Sequence, residues 1–303
     1  MKGSGARKML NGTASFGRRI ASAMLGAAAL PVRRSMAAVN LSATSPFVVY
    51  YGLENAPALR AFRLAVLDAE AAESLLAHRG PRARLLGYAS LGEVHRSRRH
   101  FAAAQADGLL LGPNPAWPEA EFVDLRSPRW TSLILDHVVP DILARGFDGL
   151  FLDTLDDAEH LEHQDPRRFS GMVAAAAALV RAMRRRVPGR PIMVNRAYAV
   201  LPRLVGAFDM LLGESVRARH VGESERDGYA LTTEADYHWQ RDRMWEARDR
   251  DPALRVFSLD YWDPEDRAGI ARLYAEQRQN GFVPYVATRD LTRIIPPPLP
   301  KVP

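Results

Sequence analysis

A chain of 303 residues with 47% hydrophobic side chains is large enough to bury a full core, which places it in the globular class. Its formal charge of +6 arises in the first 40 residues, where Lys2, Arg7, Lys8, Arg18, Arg19, Arg33 and Arg34 stand without an acid; subtracting these seven leaves the rest near −1, so the electrostatic footprint of a nucleic-acid binder is missing. The chain has no cysteine, which excludes disulfides and thiolate chemistry.

Residues 1–40 read as a leader: basic positions, the apolar run IASAMLGAAAL at 20–30, then small residues suited to cleavage near Ala38. The expectation is export, to the periplasm or outside the cell. A basic extension is the alternative, because Arg33 and Arg34 follow the apolar run. No other segment reaches the ~20 apolar residues of a membrane span.

From residue 45 to 295, short β-branched or aromatic runs alternate with helical stretches, as in a parallel sheet built from βα units. In chain order the runs are FVVYY (47–51), RLAVLD (63–68), RLLGYAS (84–90), GLFLD (149–153), PIMVN (191–195), DMLLGES (209–215), RVFSLDY (255–261) and FVPYVAT (282–288). A shorter run, FVDL (122–125), lies inside the long third connection. Ser127-Pro128 predicts a helix start that Gly146 ends, and Asp263-Pro264 with Gly281 repeats the device. Eight runs in this order predict a single-domain (β/α)8 TIM barrel followed by a Pro-rich tail at 296–303. An open doubly wound sheet is the alternative, and no G-x-G-x-x-G or Walker sequence supports it.

The C-terminal ends of the runs carry Tyr51, Asp68, the segment from Tyr88 to Glu93, Asp153, Asn195, Glu214, Asp260 and Thr288. A barrel builds its active site at that face, so these residues converge although they are far apart in the chain. An aspartate after a strand also serves as the N-cap of the next helix, and Asp68 and Asp260 fit either role. Asp153 ends an apolar run with Asp156 and Asp157 behind it to cap. Glutamate is not a favoured cap, which leaves Glu214 a carboxylate costly to bury without chemical work to do. Two carboxylates on one pocket are the equipment of glycoside cleavage: one protonates the leaving oxygen and the other attacks or supports the oxocarbenium-like centre.

His160 and His163 in EHLEH stand one helical turn apart beside Asp156 and Asp157, but no third well-spaced ligand accompanies them, so neither metal nor cofactor is expected. HRSRRH (95–100) reads as a solvated or salt-bridged loop. Trp262, just past Asp260, is the best-placed sugar platform, whereas Trp130, spaced with Leu133 and Ile134, is expected in the core.

Six segments in order, GYASLGEVHRSR, LLGPNPAWPEAEFVDLRSPRW, ARGFDGLFLDTLDDAE, VNRAYAVLP, DMLLGES and GFVPYVATRDL, resemble the glycoside hydrolase family 114 type of barrel, the endo-α-1,4-polygalactosaminidases, in particular the hydrolase domains that process the Pel exopolysaccharide. The resemblance implies cleavage of α-1,4-linked galactosamine or N-acetylgalactosamine polysaccharide. It makes Asp153 and Glu214 the catalytic pair, with Tyr88, Glu93, Asn195 and Arg196 lining the cleft; the roles expected here are Asp153 as nucleophile or charge stabiliser and Glu214 as general acid/base. Tyr51, Asp68, Asp260 and Trp262 join them as strand-end candidates for substrate binding. The second strand end departs from the family pattern, reading LDAEA where a proline is expected after the aspartate. The alternative function is a barrel of the same ancestry that grips an amino-sugar polymer without cutting it, and the presence of both carboxylates argues against it.

Overall fold

The computed structural model describes residues 46–70, 73–222 and 228–298. The expected leader and the last five residues of the expected tail lie outside the described residues. The strands are β1 (Phe47–Tyr50), β2 (Leu64–Leu67), β3 (Arg84–Ser90), β4 (Glu93–His95), β5 (Leu110–Asn114), β6 (Trp117–Val123), β7 (Gly149–Asp153), β8 (Ile192–Asn195), β9 (Met210–Glu214), β10 (Ala218–His220), β11 (Tyr229–Leu231), β12 (Arg255–Tyr261) and β13 (Val283–Ala287). The α-helices are α1 (Glu73–Leu76), α2 (Phe101–Ala106), α3 (Pro128–Leu133), α4 (Val139–Ala144), α5 (Asp157–Gln164), α6 (Met172–Arg186), α7 (Glu234–Arg250) and α8 (Arg267–Gln279).

The eight expected runs are the eight strands of the principal sheet, all parallel and in the order β1-β2-β3-β7-β8-β9-β12-β13. Helices cover the outer face, so most of these strands are buried on both sides and read as continuous apolar runs. β13 returns beside β1, and the Phe47 ring packs edge-on to Phe257 and Tyr285 at 4.9 and 5.7 Å, giving a nearly closed TIM barrel.

Two connections differ from expectation. The first half of FVDL ends β6, the middle strand of a small antiparallel sheet with β4 and β5. The helix expected from Pro128 to Gly146 is interrupted by a π-helical turn at Ile134–Val138. Pro140 accounts for this, since it has no N–H for the carbonyl one turn back and its ring crowds that carbonyl. The last α-helix begins later than Asp263 suggested. Asp266 is its cap, accepting the Gly269 N–H at 2.8 Å, while Asp263 closes a turn by accepting the Glu265 N–H at 2.9 Å.

Strand register decides which residues face the barrel axis. Side chains alternate along a strand, and paired residues of parallel neighbours share a face. Tyr88 pairs with Phe151, Ser90 with Asp153, and Leu259 with Glu214, so these positions point inward together. Asp260 pairs with Val286 and therefore points outward, toward the helices.

Candidate active site

Asp153, Asn195 and Glu214 are the last residues of β7, β8 and β9. Each is followed by a residue in the left-handed backbone region: Thr154 (φ 62°), Arg196 (φ 50°) and Ser215 (φ 53°). That conformation turns the chain sharply off the barrel rim and is costly for a β-branched residue such as Thr154. It persists because the Thr154 hydroxyl is fully engaged: it accepts the N–H groups of Leu91 and Gly92 at 3.1 and 2.8 Å and donates to the Asp153 carbonyl at 2.8 Å. A Cβ on Gly92 would stand 2.0 Å from the Thr154 carbonyl oxygen, so the SLGE segment needs glycine there to close onto β7.

The side-chain amide of Asn195 spans the two catalytic candidates. Its nitrogen donates to Asp153 Oδ1 at 2.9 Å and to Glu214 Oε2 at 2.7 Å, so these two oxygens lie at most about 5.6 Å apart, the sum of two bonds from one atom. Asp153 also accepts the Thr154 N–H at 2.9 Å and bonds the Tyr88 hydroxyl. Glu214 accepts the Tyr261 hydroxyl at 2.7 Å through its other oxygen. Burial, then the charge of Glu214, push Asp153 up to about 7. Burial, followed by the nearby carboxylates, raises the hydroxyls of Tyr51, Tyr88 and Tyr261 well above the ordinary tyrosine value. These three phenols therefore stay protonated, and Tyr88 and Tyr261 donate to the two carboxylates.

The remaining expected site residues fall into three groups. Tyr51 packs edge-on to Tyr88 at 5.5 Å, and Asp68 stands close enough to act on Tyr51. Arg98 binds Asp68 at 2.8 Å and lies over the Tyr88 ring at 5.3 Å, so the HRSRRH run delivers one clamping arginine to the rim. Glu93 sits beside Asp156 and Asp157 rather than against the pair; it is buried, accepts the Asn114 amide at 2.7 Å, and is raised by burial against that bond's opposing effect. Arg196 approaches Asp156 at 3.5 Å and feels both Glu214 and Asp153. Trp262 lies past the end of β12, its indole N–H on Asp266 at 2.9 Å.

Asp260 is the correction. Its carboxylate is 1% exposed, faces outward, and accepts the N–H groups of Arg217 (2.6 Å) and Ala218 (2.9 Å) and the Gln277 amide (2.9 Å). It ties α8 and the β10 segment to the barrel. The residue that reaches the pair from this strand is Tyr261, and the alternation of Phe257, Leu259 and Tyr261 against Ser258 and Asp260 is the sequence signal that marks it.

Two further residues were not expected at the site, and Asp157, read from the sequence as a helix cap, makes no cap bond at α5. Asp157, pushed up to about 9 by burial and then by Glu93, Asp156 and Asp153, has Oδ2 without a hydrogen-bond partner. Tyr198 is held through Gln240, whose amide donates to the Ser215 carbonyl directly after Glu214. Of the other motif residues, His160 lies against the Phe122 ring, and Trp130 is fully buried with its N–H on the Leu91 carbonyl at 3.0 Å. No helix among the described residues is long and apolar enough to cross a membrane.

The sequence profile of Glycoside-hydrolase family GH114 matches residues 31–297. The glycoside hydrolase domain of PelA from Pseudomonas aeruginosa is similar to this chain at 26% identity and a TM-score of 0.71, over 84% of this chain and 98% of that one. Ega3 from Aspergillus fumigatus, solved in complex with galactosamine, shares the fold at 13% identity and a TM-score of 0.57, over 83% and 94% of the two chains. An uncharacterised protein of Deinococcus radiodurans is 24% identical over 222 residues, a match spanning 70% of this chain and 66% of that protein's length.

Proposed function

The chain belongs to glycoside hydrolase family GH114, and from that premise we propose that it hydrolyses α-1,4 links in a galactosamine-containing polysaccharide, with Asp153 and Glu214 as the catalytic pair. The observation that carries this reading is the Asn195 amide bonded to both inward carboxylates, which limits their separation to about 5.6 Å. That spacing suits a retaining route and leaves too little room for a water between them. Asp153 attacks the anomeric carbon while Glu214 gives its proton to the leaving oxygen. Glu214 then takes a proton from the water that releases the sugar from Asp153. Tyr261 and Tyr88 hold the two carboxylates in line, and Asn195 keeps them at working distance.

The preference for amino sugar rests on charge. Glu93 and Asp156 stand behind the pair, with Asp157 held protonated beside them, and the cations nearby are Arg98, which Asp68 occupies, and Arg196 beside Asp156. With both arginines set against carboxylates, the cleft keeps an acidic character that attracts the opposite charge, here the ammonium of deacetylated galactosamine. The leader-like composition of residues 1–40 supports export, to a polymer outside the cytoplasm.

One observation favours the reverse assignment of roles: a carboxyl pushed up to about 7 is suited to acting as the acid, and that carboxyl is Asp153. Azide rescue separates the two. The Ala variant of the nucleophile forms a glycosyl azide of opposite anomeric configuration to the substrate, and the Ala variant of the acid/base forms one of the same configuration. Mass analysis of products from partially deacetylated galactosamine polymer tests the activity itself; absence of cleaved oligomers overturns the substrate assignment.

A further inference from the structure

At the rim of the barrel, past the C-terminal ends of β12 and β13, lies a cavity of about 630 Å³, within the range of small-molecule sites. Trp262, Tyr229, Asp263, Asp266, Thr288 and Asp290 help to line it. Trp262 follows Tyr261, whose hydroxyl donates to Glu214, and its backbone N–H continues the sheet to the Ala287 carbonyl at 3.1 Å, while its side chain turns to the α8 side of the rim.

The tryptophan is fixed before any ligand arrives. Its indole N–H is bonded to Asp266, and its edge passes over Gly269, where an added Cβ would stand 2.3 Å from the indole nitrogen. It also packs on the small apolar cluster that includes Ala218, Ile270 and Val286. Asp290 is held by the Thr288 hydroxyl at 2.7 Å and the Thr292 N–H at 3.3 Å, while Asp263 is exposed at the rim. Burial pushes Asp290 up, but the Thr292 and Thr288 bonds outweigh it and keep the carboxyl below its ordinary value. The arginine of the cavity wall, Arg293, is paired with Glu265 at 3.0 Å. The cavity therefore offers one rigid aromatic plate and a set of carboxylates. Galactose-configured rings have an apolar face of C–H groups that suits such a plate, and an ammonium substituent suits the acids.

We propose that this cavity is a subsite for a second, protonated galactosamine unit of the same polymer, its ring on Trp262 and its ammonium met by Asp290 and Asp263. The assignment rests on the galactosamine reading above and adds to it a residue set that senses chain length and deacetylation away from the bond that is cut.

The test uses the full chain with partially deacetylated galactosamine oligomers of increasing length. In the unaltered protein kcat/KM rises with length until this subsite is filled. Asp290→Asn and Trp262→Phe each lower kcat/KM on the longest oligomer by about tenfold, mainly through KM, as expected for one lost charged or stacking contact, and flatten the length dependence. Circular dichroism and melting confirm that both variants are folded. Unchanged length dependence in both folded variants, with turnover intact, overturns the subsite and leaves the glycosidase standing. Isothermal titration calorimetry of Glu214→Gln protein with the oligomer gives the complementary result: saturable binding that a further Trp262→Phe change weakens about tenfold upholds the subsite even if the unaltered protein proves unable to cleave the polymer, and unchanged affinity overturns it.

Discussion

Replacing Asn195 by alanine probes the feature on which the mechanism depends. The amide nitrogen makes two hydrogen bonds, 2.9 Å to Asp153 and 2.7 Å to Glu214, and no other side chain bonds both carboxylates among the described residues. A hydrogen bond to an ionised group is worth about 1.5 to 3 kcal/mol, so Asp153 loses about 2 kcal/mol of support for its charged form. At 1.36 kcal/mol per unit this raises its titration from about 7 by about 1 pH unit or more. Loss of the fixed separation adds a positional penalty, and about 10²-fold in kcat is the expected scale for a displacement near 1 Å. The assay is kcat/KM against pH, with a melting curve to confirm folding. If Asp153 is the nucleophile it must be ionised, so the acidic limb moves to higher pH and activity at pH 6 falls further than at pH 8. Movement of the alkaline limb instead assigns Asp153 the acid's role. A profile superimposable on that of the unaltered enzyme would falsify the bridging argument, because a merely structural asparagine leaves both limbs in place.

The other predictions concern the pair, its stereochemistry, a neighbouring acid and the charge of the cleft. Asp153→Asn and Glu214→Gln each keep the fold by circular dichroism and lose at least about 10³-fold in hydrolysis, since each preserves shape while removing charge or a transferable proton; near-normal turnover in either removes that residue from the mechanism. Proton NMR of the first-formed product shows the substrate's anomeric configuration, and the opposite anomer refutes the retaining route drawn from the 5.6 Å limit. Asp157 titrates at about 9 when folded and at about 3.9 when unfolded, so the unfolded chain gives up its proton first and folding stability falls as pH rises from about 4 toward 9. Asp157→Asn removes that dependence. The linkage limit at pH 7 is about 4 kcal/mol, and about half of it, a Tm gain of about 5 °C that disappears near pH 4, is the expected outcome; an equal Tm change at pH 4 and pH 8 refutes it. Raised salt slows cleavage of deacetylated oligomers more than acetylated ones, because screening acts within about 8 Å at physiological ionic strength; equal salt response for both refutes the charge argument.

The amino-acid sequence by itself determined the eight strands and their order, because each is an apolar run bounded by turn residues and each sits in a βα repeat. Asp153 and Glu214 were legible for the same reason, as carboxylates that end apolar runs where no capping role explains them. Asp260 was not legible as an outward residue, nor Tyr261 as an inward one, until the register with β9 and β13 assigned each a face. A one-residue step reverses side-chain direction in a strand, so a list of strand ends cannot separate the two unless the alternation is followed through the whole run. The Thr154 lock on Gly92, the Asn195 bridge and the burial of Asp157 all depend on contacts between segments distant in the chain. Local pattern specifies which residues a strand exposes at its end. Only the closure of the barrel decides which of them meet, how far apart they stand and which carry a proton, because distance, desolvation and neighbouring charge are properties of the assembled site.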